Sequence, residues 1–255
     1  MIQPTRYGGR EIDTAACGRA EQPMNAVDRS FARIGAVAAI CGSLTLFVAT
    51  LLHPMSADPN DAVAAFTEYA ADRIWVASHL GQFVGVLLIG IALIALGRML
   101  SGGAAVEVCV RIGAVGVGAS VAAAAVLQAV DGVALKVMVD KWAAAPADQR
   151  QALFWATYGV RQIEVGAASL TSLLLGLTVC SYAVGLLAAT LYPRWLGGFG
   201  LLGGVGLIAA AVLNATTGFS AVTMDVSMPS SAALLLWVFL LGVVMWRKRR
   251  ASLAA

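Results

Sequence analysis

Residues 76–96 have the sequence VASHLGQFVGVLLIGIALIAL, a run of 21 residues without Asp, Glu, Lys or Arg. A helix of about 20 apolar residues rises roughly 30 Å and so crosses the hydrocarbon core of a bilayer. The whole chain is 60% hydrophobic and 12% charged, whereas soluble domains carry about 25% charged residues. The run therefore predicts a membrane-spanning helix in an integral membrane protein.

Five further runs have the length and composition of membrane spans, at 31–52, 112–135, 160–187, 195–215 and 231–246. Their residues do not alternate apolar with polar, as the strands of a membrane barrel would. We predict an all-α fold, a polytopic membrane helix bundle with six transmembrane helices. The predicted organisation is a disordered cytoplasmic tail (1–28), a six-helix transmembrane domain (29–250) and a short cytoplasmic tail (251–255).

Basic residues are distributed unevenly between the two sides of the predicted bundle. Of the 17 Lys and Arg residues, 12 fall on the side that carries both termini. Because cytoplasmic segments of membrane proteins are enriched in Lys and Arg, both termini are predicted to lie in the cytoplasm. We predict a multi-pass protein of the bacterial plasma membrane, with the lipid bilayer as its main partner.

Two other classes of partner have little support in the sequence. The basic residues form no stripe interleaved with aromatic residues, so we expect no nucleic-acid binding. The four cysteines form no CxxC pair, so we expect neither a disulfide nor a zinc site built on cysteine.

The two long outer connections carry signals for additional helices. Asp58-Pro59 is a typical helix start, and it predicts a short amphipathic helix within 54–75 on the outer surface. Pro146 predicts a second start, for a helix that continues into the fourth span. Trp75 and Trp155 are predicted to belong to an aromatic belt at the outer interface.

The stretch LYPRWLGGFGLLG at 191–203 is followed by an apolar helix, a loop with Pro229 and a last apolar helix. It resembles the second half of a bacterial family of six-helix membrane proteins classified as a domain of unknown function. The resemblance covers about the last quarter of the chain and is carried mainly by Pro193-Arg194-Trp195-Leu196-Gly197. It implies a bacterial plasma membrane and six spans, and it carries no activity or catalytic residues.

Polar groups lie near the outer end of several predicted spans, at one depth. In the first, third and fifth spans a polar residue follows an arginine by 20 residues: His53 after Arg33, Asp131 after Arg111 and Asn214 after Arg194. Twenty residues is also about one membrane thickness, so such a residue can simply mark the exit of a helix. The candidate metal ligands are His53, His79, Asp131 and Glu164, and the other members of the polar layer are Gln82, Gln128, Arg161 and Asn214.

This layer leaves several functions open, and the cofactor stays unknown. Two histidines and two carboxylates would suit zinc or iron in a metal-dependent membrane hydrolase, and haem between His53 and His79 is a further option. A small-solute pocket or an accessory role with another membrane protein requires no enzyme chemistry. The simplest alternative is a structural polar collar with an Arg161–Glu164 salt bridge. We predict a non-enzymatic accessory or solute-binding protein, with the metal-dependent enzyme as the alternative.

Overall fold

The computed structural model describes residues 25–254, and these residues form eight α-helices and one π-helical segment without any strand. The helices are α1 (Ala26–Leu51), α2 (Ala62–Ala71), α3 (Trp75–Met99), α4 (Ala104–Gln128), α5 (Lys136–Ala143), α6 (Ala147–Ala188), α7 (Arg194–Thr217) and α8 (Ala221–Ala254), and the π segment (Ala129–Leu135) joins α4 to α5. The predicted all-α fold is confirmed. The tail predicted for 1–28 lies outside the described residues except for 25–28, where α1 already begins.

Six helical units of the described chain are long and apolar enough to cross a membrane, as predicted. They are α1, α3, the continuous unit from α4 to α5, α6, α7 and α8. Gly35 near the start of α1 packs against Met245 near the end of α8, so both lie at the same end of the bundle. We call this end the terminal end, and we call the opposite end, which carries 52–74, 144–146 and 218–220, the loop end.

Close packing of α1 on α3 depends on small residues. A Cβ atom placed on Gly85 would lie 2.7 Å from Cβ of Leu46 and 2.8 Å from its backbone nitrogen. Only glycine allows the two backbones to approach so closely, which is typical of helix contacts in membranes. The core continues through α6, α7 and α8, where the buried Trp237 donates a hydrogen bond from Nε1 to the carbonyl of Leu196 at 2.8 Å.

Two of the helical units are much longer than a membrane requires. The unit Ala104–Ala143 has 40 residues and α6 has 42, so each extends about 60 Å at 1.5 Å per residue. Hydropathy marked only the most apolar parts of these helices, which is why the third and fourth spans were predicted shorter. Pro146 precedes α6, and α6 runs without a break into the fourth span, as predicted.

Helix α2 packs against the extensions of these long helices. It buries Ala65, Phe66 and Tyr69 in a second hydrophobic cluster with Trp75, Leu135 and Val139. We call this group the loop-end cluster. The helix begins later than Asp58-Pro59 indicates, because Asp61 is its N-cap and accepts hydrogen bonds from the amides of Val63 and Ala64. Its buried face lies against the long helices.

Candidate metal centre

Three of the predicted site residues meet at the loop end. His53 follows α1, His79 lies one turn inside α3, and Asp131 lies in the π segment. One potential ligand atom from each residue lies within 4.8 Å of the other two. The two imidazole centroids are 5.0 Å apart. The sequence placed these residues on separate spans, and the fold brings them to one point.

Both imidazoles are oriented by backbone carbonyl groups. Nδ1 of His53 lies 2.7 Å from the carbonyl oxygen of Pro54, and Nδ1 of His79 lies 2.7 Å from that of Trp75. A carbonyl oxygen only accepts, so each Nδ1 carries the proton and donates it. In the neutral form of each imidazole, Nε2 then has a lone pair that can bind a metal. Histidine ligands of metals usually have this arrangement, in which the nitrogen away from the metal donates to a carbonyl or carboxylate.

Asp131 is positioned by the π segment, whose wider turns are common at functional sites. Its backbone carbonyl accepts a hydrogen bond from Nε1 of Trp75 at 3.0 Å. Its Oδ2 atom lies 3.0 Å from Nε2 of His79. This contact is an ion pair when His79 is protonated. Within the described chain, Nε2 of His79 and Oδ1 of Asp131 are buried atoms without a hydrogen-bond partner.

Aromatic rings surround the two histidines. The ring of Trp75 lies 4.8 Å from that of His53 and 4.5 Å from that of His79, and Tyr69 lies 4.4 Å from Trp75. Burial, opposed by the nearby carboxylate of Asp131, lowers the pKa of His53 below its ordinary value. The site is a small polar group enclosed by apolar surface, with access from the side of the half-buried His53.

Glu164 lies outside this group. Both of its carboxylate oxygens accept hydrogen bonds from Nη1 of Arg161, at 2.7 and 2.6 Å. The guanidinium also lies over the ring of Phe219, 4.7 Å from its centroid. Both charged side chains are buried. The pair is the salt bridge that the sequence suggested for two residues three positions apart on one helix. The carboxylate is occupied and is not available to the three-residue group.

The remaining polar residues form two separate contacts. Nε2 of Gln128 donates to Oε1 of Gln82 at 3.2 Å. Asn214 donates to Oγ of Ser169 at 2.9 Å and to the carbonyl of Val165 at 3.2 Å. The predicted polar layer is thus divided into four groups, and of the residues that follow an arginine by 20 positions only His53 and Asp131 come together.

Sequence reasoning missed the residues that support the site. Trp75 was predicted to belong to an aromatic belt at the outer interface, but its side chain is completely buried between the two histidines and Tyr69. Gly132 was not singled out, although a Cβ atom there would lie 2.6 Å from Cβ of His79. A Trp four residues before an intramembrane His is a signal that could have suggested this contact, because the two share one helix face.

The group can hold a metal ion that has one or more coordination positions left open. Two imidazole nitrogens and one carboxylate suit zinc or non-haem iron. Haem is disfavoured in this arrangement, since iron between two axial histidines places their ring centroids more than about 6 Å apart on opposite faces of the porphyrin. Within the described residues this is the one cluster of three or more metal-ligating side chains.

Comparison of the chain with family models, with curated proteins and with solved structures finds no match in any of the three. With its six apolar helices, the chain is a multi-pass membrane protein.

Proposed function

We propose that this chain is a membrane protein that binds a divalent transition-metal ion, of the zinc or iron class, at the loop end of its bundle. The ligands are Nε2 of His53, Nε2 of His79 and the carboxylate of Asp131. The observation that carries the proposal is their convergence from three separate elements, with the ligand atoms within 4.8 Å of one another. Two ligand atoms that each lie about 2 Å from one ion are at most about 4 Å apart, so the side chains would move closer together when the metal binds.

The unpaired buried atoms support a ligand at this point. Leaving a buried polar atom without a partner costs about 1–3 kcal/mol. Nε2 of His79 and Oδ1 of Asp131 are two such atoms at this site, and the other carboxylate oxygen of Asp131, Oδ2, lies 3.0 Å from Nε2. A metal ion bound to Nε2 and to the carboxylate would satisfy both residues. The carbonyl groups of Pro54 and Trp75 already hold the imidazoles in the tautomer that a metal requires.

Metal analysis of the purified protein tests the proposal. We expect about one zinc or iron ion per chain in the wild type and its loss in the double variant His53→Ala, His79→Ala, since a site with three protein ligands does not survive the removal of two. Asp131→Asn should weaken binding, and Asp148→Asn is its matched control because that carboxylate lies at the exposed start of α6. Metal content equal in all four proteins would refute the site.

Binding can also be followed through Trp75, whose ring lies within 5 Å of both imidazoles. Cu²⁺ or Ni²⁺ in the site would quench its fluorescence. The quenching should be absent in Trp75→Phe and should persist in Trp155→Phe, because Trp155 is exposed and lies elsewhere on α6.

A metal-dependent hydrolase is the second candidate, because three protein ligands with an open position are typical of catalytic zinc. The metal would acidify a bound water molecule there. Protein loaded with Co²⁺ tests for this position, since azide that enters it changes the visible spectrum of the metal. A spectrum unaffected by azide would indicate a closed site and would favour the non-enzymatic role.

We further propose that the membrane is the plasma membrane of a bacterium and that both termini face the cytoplasm. The excess of Lys and Arg at the terminal end supports this orientation. The resemblance of 191–203 to a bacterial family of six-helix proteins agrees with it and stays a prediction. On this topology the metal ion would enter from the outer face.

A further inference from the structure

One face of α6 is apolar and exposed over most of the length of the helix. We call it the α6 stripe. Its residues alternate between intervals of four and three positions, and they are Ala152, Ala156, Gly159, Ile163, Gly166, Leu170, Leu173, Leu177, Cys180 and Val184. Leu173 and Cys180 are half-buried, and the other members are exposed. Apolar residues with this average period of 3.5 are the pattern by which two helices pack side by side with interlocking side chains.

The α6 stripe is longer than the hydrocarbon core of a membrane. From Ala152 to Val184 it extends about 48 Å at 1.5 Å per residue, whereas the hydrocarbon is about 30 Å thick. Its position is given by α7, which is about 36 Å long and so crosses the hydrocarbon by itself. Asn214, near the end of α7, donates hydrogen bonds to Val165 and Ser169 of α6. The part of α6 that precedes position 160 therefore lies beyond the end of α7.

Lipid chains do not reach this part of the stripe, and its composition does not suit water. Trp155 borders it and is 60% exposed. From 151 to 188 the only charged residues of α6 are Arg161 and Glu164, and both are buried on the opposite side of the helix. A helix face that meets water normally carries charged or polar residues. The loop-end part of the stripe is therefore a surface for another protein helix.

Two glycines of the stripe have no role in the packing of this chain. Gly159 and Gly166 lie seven positions apart, and a Cβ atom on either would meet nothing within 4 Å. A glycine inside a helix destabilises it by about 1 kcal/mol relative to alanine. Gly85 and Gly132 are different, because a Cβ atom there would clash with a neighbouring helix. Bare backbone on an exposed face allows a second helix to approach closely, as small residues do in membrane helix pairs.

The partner that fits this surface is α6 of a second copy. Copies of one membrane protein share their orientation in the bilayer. Two α6 helices would therefore run parallel about a twofold axis, and each residue of the stripe would meet its own counterpart. The face carries no charge, so identical copies do not repel each other. A contact about 48 Å long and about 10 Å wide covers roughly 500 Å² on each copy, and the total of about 1,000 Å² is the size at which specific interfaces begin.

We propose that the chain forms a parallel homodimer through the α6 stripe, with Gly159 and Gly166 at the closest approach of the two helices. Trp155 would then be covered by the second copy. This interface goes beyond the proposed metal-binding function and does not depend on a bound metal.

Single-molecule photobleaching of the labelled full chain in lipid vesicles counts the copies in each complex. We expect dimers of the wild type at protein-to-lipid ratios where chance co-occupancy is low. The double variant Gly159→Leu, Gly166→Leu should raise the dissociation constant at least about tenfold, because the added side chains hold the two helices apart. The folded monomer accommodates both leucines, since the space around these glycines is open. Gly198→Leu on α7 is the matched control, because a Cβ atom there also meets nothing within 4 Å.

Cross-linking in native membranes identifies the face that pairs. In a variant whose four native cysteines are replaced by serine, Ala156→Cys should be joined to its counterpart by a short bis-maleimide. Val137→Cys, on the exposed surface of α5, should not. A chain that stays monomeric at every protein-to-lipid ratio would overturn the proposal. A dimer that forms equally well with both leucines, or an Ala156→Cys variant that is linked only to a different polypeptide, would also overturn it.

Discussion

Gly132 in the π segment lies directly against the side chain of His79 on α3. A Cβ atom at position 132 would lie 2.6 Å from Cβ of His79 and 3.0 Å from Cγ of its ring. Contacts this short do not occur between real side chains, so any residue larger than glycine must push α3 and the π segment apart. The distance between His79 and the neighbouring Asp131 therefore depends on the absence of a side chain at position 132.

Gly132→Ala is expected to weaken metal binding without unfolding the bundle. The added methyl group displaces the ring of His79 from Asp131, and we expect at least about a tenfold loss of zinc affinity, the size of effect produced when support around a metal ligand is removed. Competition with a coloured chelator measures this affinity. Gly118→Ala in α4 is the control, because a Cβ atom there meets nothing within 4 Å. Equal affinities in the two variants would show that Gly132 does not position the site.

The six spans could be predicted from the sequence because each crossing needs about 20 apolar residues, and the chain shows that pattern six times. The grouping of the polar residues could not be predicted in this way. It depends on the π segment, which starts directly after Gln128 and directs Asp131 to His79 while Gln128 meets Gln82. The wider π-helical turn rotates the residues that follow it relative to a regular α-helix. The pattern of apolar residues in the sequence does not show this rotation.

Helix starts outside the membrane were harder to predict than the spans. Asp58 and Asp61 are both followed by residues compatible with a first turn, and the sequence favoured Asp58 because proline follows it. In the structure the Asp58 carboxylate accepts a hydrogen bond from the amide of Asn60, at 2.9 Å, which precedes the helix. Asp61 accepts from two amides in the first turn of α2. The number of helix amides reached by each carboxylate decides which residue is the cap.

Asp61→Ala should therefore destabilise α2 more than Asp58→Ala does. Loss of an N-cap carboxylate costs about 1 kcal/mol, with a range of roughly 0.5–2 kcal/mol. Hydrogen exchange of the amides in 62–66 measures the opening of this helix. We expect several-fold faster exchange in Asp61→Ala and little change in Asp58→Ala. The reverse order would place the start of the helix at Asp58, as the sequence alone indicated.

The connection between α1 and α2 should loosen in acid. Burial would raise the pKa of Glu68, but the hydrogen bonds from the amides of Ala57 and Ser56, at 2.9 and 3.0 Å, more than offset it and hold this pKa below its usual range. A lowered pKa in the folded protein means that the ionised carboxylate stabilises the fold above the unfolded-state pKa and stops doing so as the pH falls through the folded-state value.

Hydrogen exchange of 54–60, corrected for its intrinsic pH dependence, should therefore accelerate as the pH falls below about 4.5, the ordinary pKa of a glutamate. Glu68→Gln should show fast exchange at every pH and no such transition. A transition that persists in Glu68→Gln would assign the effect to another carboxylate.

The orientation of the bundle can be tested with reporter fusions in bacteria. We expect a green fluorescent protein fused after Ala255 to fluoresce and alkaline phosphatase fused after Asp148 to be active, because the basic residues place the terminal end in the cytoplasm. The same reporters exchanged between the two positions are the matched controls and should be silent. Active phosphatase at the carboxyl end would invert the topology and would place the metal site on the cytoplasmic face.

The buried pair of Arg161 and Glu164 leads to a prediction about stability that does not depend on any ligand. Their side chains are 8% and 3% exposed, and Nη1 of the arginine lies 2.6 Å from Oε2 of the glutamate. Removing one partner leaves an uncompensated buried charge, so Arg161→Met and Glu164→Met should each lower the free energy of unfolding by about 3–5 kcal/mol. Replacing both with methionine should cost much less than the sum of the two changes, because no charge is then left behind.

Unfolding in mixed micelles of mild detergent and dodecyl sulfate measures these free energies. The exposed pair of Glu107 and Arg111 at the terminal end is the control, with side chains 62% and 77% exposed. Loss of either partner there should change stability by at most about 1 kcal/mol, since water already solvates both charges. If the Arg161 and Glu164 variants behaved like this exposed pair, water would have to reach them in the folded protein, and the loop end of the bundle would be open around α6 and α7.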